Sequence, residues 1–158
     1  MGGWADGRMG GWADRRCNNT IRPAEKWLSL CRPCSLSSFM QPHERLIAWQ
    51  RAHAFVLEIH KVTKAWPSEE RYGLVSQVRR AAFSVAVNIV EGCARRGRRE
   101  FRRFLDISYA SLAETGYILL LARDLGYLTK EDRDRLEGQR CGIGAPLFKL
   151  MRAMDQDP

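Results

Sequence analysis

Histidine is scarce in this chain. His43, His53 and His60 are the three in 158 residues, and they stand ten and seven residues apart rather than as an HxxxH pair. They read as ordinary surface or boundary residues, not as a metal-binding helix face. Cysteine is sparse and odd in number: Cys17, Cys31, Cys34, Cys93 and Cys141 are irregularly spaced, which argues against a disulfide framework. The "CRPC" at Cys31 and Cys34 has CxxC spacing, but no second CxxC or paired-His motif completes the four ligands of a structural zinc site. No metal or other cofactor is expected. There is no phosphate-cradling glycine loop and no nucleophile elbow. No unbroken apolar run approaches the ~20 residues that span a bilayer, and the N-terminus lacks the apolar stretch of a signal peptide. A cytoplasmic protein without a small-molecule substrate or a membrane partner is expected.

What the chain does have is positive charge and helical periodicity. The formal charge is +8 and the pI about 9.7, a balance that favours acidic partners without specifying a fold. Residues 1–39 carry six Lys/Arg against three Asp/Glu, so they hold +3 of the charge. They open with a duplication, "MGGWADGR" then "MGGWADRR", and are broken by Gly, Pro, Ser and Cys without sustained periodicity. Two copies are too few for a repeat architecture. The expectation is a flexible, disordered extension, with Met40 a candidate biological start. It should be dispensable to a domain formed by residues 40–158.

From Pro42 the pattern becomes helical. Leu46, Trp49, Ala52, Val56, Ile59 and Thr63 recur at three- and four-residue steps, and Pro67 ends the run. A second helix is expected over residues 74–91, with Gly92 and Gly97 bracketing the next turn. A third, over residues 98–125, carries Phe101, Phe104, Leu105, Ser108, Leu112, Thr115, Leu119 and Ala122 on one face, and Gly126 stops it. Thr129 can cap a fourth helix with Glu131 and Asp132 in its first turn. Gly138, Gly142, Gly144 and Pro146 weaken that helix, and Pro146 should kink it. No convincing strand is present. Short links between long helices predict an all-α, antiparallel up-down-up-down four-helix bundle.

The second helix is apolar on two sides. Leu74, Val78, Ala81, Ala82, Val85 and Ile89 form one face, and Phe83, Val87 and Val90 a separate one roughly opposite. In a small bundle the second face must be buried by another chain, so Phe83, Val87 and Val90 are the expected homo-oligomer interface. Between the faces runs a polar stripe, Gln77, Arg80, Ser84, Asn88 and Glu91, read as structural side chains that satisfy one another and the facing helix. An enzyme acting through Glu91 and Asn88 would need a nucleophile, histidine or metal ligand beside them. None is evident, so no catalytic residue is assigned.

Immediately after this helix, Arg95, Arg96, Arg98, Arg99, Arg102 and Arg103 fall within nine residues, opposed inside the cluster only by Glu100. Such a run can be a solvated corner. It can also be a phosphate surface, because guanidinium binds phosphate bidentately and sits here on a rigid helix–turn–helix support. With Arg79, these residues are the candidate nucleic-acid contacts. The competing class is a structural or protein-interaction scaffold that the arginines merely keep soluble.

The order of "YGLVSQVRRAA", "NIVEG" and "LARDLGYL" resembles the four-helix bundle proteins encoded in bacterial 23S rRNA intervening sequences. The accessory proteins of diversity-generating retroelements are similar. The resemblance spans residues 40–154. It implies a cytoplasmic homo-oligomer, a pentameric ring, with a basic surface for RNA or for an RNA-associated partner such as a reverse transcriptase, and it implies no catalytic activity. The chain departs from the family pattern at Ala86, where proline is usual, and at Ala110-Ser111, where Gly-Ser is usual. Ala86 should straighten the second helix, and Ala110 should add a methyl at a close helix contact.

Overall fold

The computed structural model describes residues 41–155. The extension, the CRPC sequence and Met40 lie outside the described residues. A 3₁₀ turn, Pro42–Arg45, leads into α1 (Ile47–Val62), and further 3₁₀ turns at Thr63–Ala65 and Ser68–Arg71 lead to α2 (Leu74–Ala94). Then come α3 (Arg98–Asp124) and α4 (Lys130–Asp155), with no strand among the described residues. The all-α four-helix reading holds.

The helix ends follow from their sequences. Glu70 supplies what Ser or Thr would supply at the start of α2: its Oε2 accepts the Leu74 N–H at 2.9 Å. The stop after α3 is a Schellman turn, in which Gly126 N–H donates to the Arg123 carbonyl and Tyr127 N–H to the Ala122 carbonyl, both at 2.9 Å. That turn requires φ = +76° at residue 126, which glycine adopts without a Cβ penalty. Thr129 caps α4 as expected, its Oγ1 accepting the Asp132 N–H at 3.1 Å. Despite three glycines and Pro146, α4 runs unbroken to Asp155. Burial of Leu136, Ile143, Leu147, Met151 and Met154 offsets the weak propensity.

Each helix packs on the next, and α4 closes the square against α1. Antiparallel register is fixed by cross-helix bonds. Arg79 Nε donates to Thr63 Oγ1 at 2.8 Å, Ser108 Oγ to the Val85 carbonyl at 2.8 Å, and Arg51 Nη1 to the Gly142 carbonyl at 2.6 Å. The α2 core face is as expected apart from half-buried Leu74, with Val75 and Ala86 added to it. On α3, Leu105, Ser108, Leu112, Thr115, Leu119 and Ala122 are buried, while Phe101 and Phe104 are half-buried at the end of the bundle.

Parts of the packing differ from the sequence reading. On α1 the buried set is Ala48, Ala52, Phe55 and Ile59, with Trp49 and Val56 at its margin. Ala110 is exposed, and the neighbouring Ser111 makes the helix contact instead. By length and composition alone α3 could cross a membrane, although no unbroken apolar run marked it; its apolar face is the bundle core.

Candidate nucleic-acid interface

The α2–α3 corner is built by three residues. Arg95 leaves α2 in extended conformation, its N–H donating to the Gly92 carbonyl at 3.1 Å. Gly97, at φ = +93°, turns the chain into α3, a conformation that a side chain would strain. A Cβ at Gly92 would lie 2.6 Å from the Phe101 ring, so only glycine lets α3 approach this closely. Arg95 and Arg96 thus lie in the short turn, and Arg98, Arg99, Arg102 and Arg103 in the first two turns of α3.

The cluster divides into structural and exposed members. Arg98 reaches the Ala153 carbonyl near the end of α4, where helix carbonyls lack intrahelical partners. Arg102 pairs with Asp106 one turn along α3 and with Asp155 of α4, its Nε 2.9 Å from Asp155 Oδ1. The hydrogen bond to Asp106, helped by Asp155, raises its pKa further. Arg98 and Arg102 thus fasten α4 to the corner. Arg95 lies over the Phe104 ring, 5.0 Å from its centroid, and remains exposed. Arg103 is 72% exposed and only loosely paired with Glu100 at 3.9 Å. Arg96 and Arg99 are exposed and make no hydrogen bond or ion pair among the described residues. Arg79 does not belong to this surface. It lies sixteen residues earlier on α2, about 24 Å away along the axis, bonded to Thr63. Of the seven candidate contacts, Arg95, Arg96, Arg99 and Arg103 form an open basic surface.

The polar stripe also divides. Ser84 Oγ and Ser111 Oγ are 2.8 Å apart, and Asn88 Nδ2 donates to the Ser84 carbonyl at 2.7 Å and to Ser84 Oγ at 2.9 Å. These side chains form a network in the α2–α3 seam. Gln77, Arg80 and Glu91 are exposed, with Arg80 Nη2 donating to Gln77 Oε1 at 2.7 Å. Glu91 is therefore not a buried carboxylate. Asn88→Ala should lower unfolding stability by about 1–2 kcal/mol, because its partners lose hydrogen bonds in a site shielded from water. Glu91→Ala should change it by less than about 0.5 kcal/mol. Urea unfolding of the two variants separates them.

Phe83 is 57% exposed, with Val87 and Val90 half-buried beside it. The Ser84–Ser111 register brings Ile107, 42% exposed, to the level of Val87 across the seam. Ile107 was missed as an extension of this apolar face; its place depends on helix register, which spacing within one helix does not give.

The structure also assembles an aromatic ladder from residues read as unrelated. His43 meets Trp49 edge-on, with centroids 4.8 Å apart and planes at 66°. His53 stacks on Trp49 as well, with centroids 5.2 Å apart and planes 11° from parallel. The i,i+4 spacing of Trp49 and His53 was a usable signal. The arrival of His43 depends on the 3₁₀ turn before α1.

At the opposite end of the bundle, a cleft of about 640 Å³ is lined by Glu58, Lys61, Trp66, Tyr127, Asp132 and Arg135, among others. Arg135 engages both Glu58 and Asp132, and its hydrogen bond holds the Asp132 carboxyl below its usual range. Arg135 thus bridges two of the cleft's acids and offsets part of their charge. Among the described residues, no group of three or more His, Cys, Asp or Glu is placed to hold a metal ion.

A family model described as 23S rRNA-intervening sequence protein matches residues 44–148. A solved structure of similar fold is a protein of unknown function from the S23 ribosomal protein family of Bacteroides thetaiotaomicron. It shares 22% identity and a TM-score of 0.63, over 67% of this chain and 96% of that one. No curated protein matches.

Proposed function

From the premise that this chain belongs to the 23S rRNA-intervening sequence protein family, we propose that it is a non-enzymatic homo-oligomer that presents the α2–α3 corner to RNA. The observation that carries the reading is the open set of Arg95, Arg96, Arg99 and Arg103 in the α2–α3 turn and the first turns of α3. Guanidiniums already committed to carboxylates could not give that charge to phosphate; these four are exposed and at most loosely held. In a cyclic assembly, a pentamer by family resemblance, each copy would repeat the surface around the axis. An RNA-associated protein such as a reverse transcriptase would meet the same surface through the RNA it carries.

The test is RNA affinity measured against salt. Replacing Arg95, Arg96, Arg99 and Arg103 by Ser should leave the melting temperature nearly unchanged, because exposed charges contribute little to stability. Arg98 and Arg102 are left in place because they hold α4. Binding should weaken, and the slope of log affinity against log salt should flatten by up to about 3, near 0.7 for each lost contact to a single strand. Equal affinity of variant and wild type at every salt concentration would mean a solvated corner on an interaction scaffold.

A further inference from the structure

The aromatic ladder and the basic corner lie at the same end of the bundle. The Arg79–Thr63 bond sets the α1–α2 register. Trp49 precedes Thr63 by fourteen residues, and Cys93 follows Arg79 by fourteen, so both lie about 21 Å along their helices from that bond. Arg95 and Arg96 come directly after. The Pro42–Arg45 turn, which carries His43, packs on α2 as well. Neighbouring helix axes lie about 8–10 Å apart, so consecutive nucleotides of one strand can reach both features.

We infer that this pole selects single-stranded RNA, with Arg96 and Arg99 holding backbone phosphates while an unpaired base stacks on the His53 end of the His43–Trp49–His53 ladder. The inference rests on the RNA reading above and adds the strandedness of the ligand. In a duplex every base face is covered by its neighbours, and the A-form major groove is too deep and narrow for side chains to enter. An arginine surface alone would therefore bind duplex and single strand through the same phosphates. An aromatic stack can discriminate, because only an unpaired base has a free face. Trp49 and His43 are half-buried and packing accounts for them in part, but His53 is exposed, at the same end of the bundle as the arginines.

Fluorescence anisotropy of the full chain with a labelled oligouridylate, and with an RNA duplex of equal length, tests this. His53→Ala should weaken single-strand binding by at least about fivefold, the lower end of the range for loss of one stacked base. It should leave duplex binding, the salt slope and the melting temperature unchanged. His53→Phe, which keeps a ring, should restore single-strand binding. Arg96→Ser with Arg99→Ser should weaken both ligands and flatten both salt slopes. If His53→Ala has no effect, or weakens both ligands equally, the stacking role is overturned while the arginine reading stands. Wild-type protein that binds neither RNA at low salt overturns both, and leaves a corner that faces protein or solvent.

Discussion

Phe55→Ala is expected to lower the unfolding free energy by about 3–5 kcal/mol, and Val56→Ala by no more than about 1 kcal/mol. Phe55 is 1% exposed and sits in the core, whereas Val56 is half-buried at the α1 margin. Removing the ring takes away its transfer free energy and leaves a cavity that four packed helices can only partly close. The pair discriminates between two placements of the α1 face, because the apolar periodicity of α1 puts Val56, not Phe55, on the buried side. Denaturant titration monitored by circular dichroism gives both values. A larger loss for Val56→Ala would mean that α1 is rotated about its axis.

The second large effect concerns assembly. Phe83→Asp should convert an oligomer into folded monomers, seen as a drop to the single-chain mass in light scattering at micromolar concentration. Phe83 is exposed in the single chain, so its replacement costs the bundle little. A carboxylate in an apolar subunit contact must be desolvated without a partner, which costs several kcal/mol in every interface. Retained helix content with lost mass is the expected signature. A wild-type protein that is already monomeric would leave the Phe83, Val87 and Val90 face without its proposed occupant.

The parts of the fold legible in the sequence were those set by local chemistry. Pro67, Gly97, Gly126 and Thr129 punctuate the helices because their backbone preferences act within a few residues. The α2 and α3 faces were legible because each helix has one dominant apolar stripe. On α1 two stripes overlap, sharing Ala52 and Ile59, and the arrangement of α2 and α4 decides which is central. The arginine corner was legible as a cluster but not in its division. Arg102 with Asp106 is an i,i+4 pair that spacing alone offers, whereas the ties of Arg98 to Ala153 and Arg102 to Asp155 arise only when α4 returns. Glu91 was misplaced because the helical wheel sets it beside the seam, while burial depends on how closely α3 approaches there.

The connectivity of the square also has a consequence for the order in which the chain assembles. α2 and α3 are joined through three residues and share the most extensive packing, so closing this hairpin costs little chain entropy. α1 meets α4 through Arg51 and Gly142, and through Glu58 and Arg135, groups separated by most of the domain. Contacts between sequence neighbours form quickly, and those across a long loop wait. During synthesis the α2–α3 hairpin can therefore close while α4 is still within the ribosome. α1, although made first, cannot gain its second neighbour until α4 arrives.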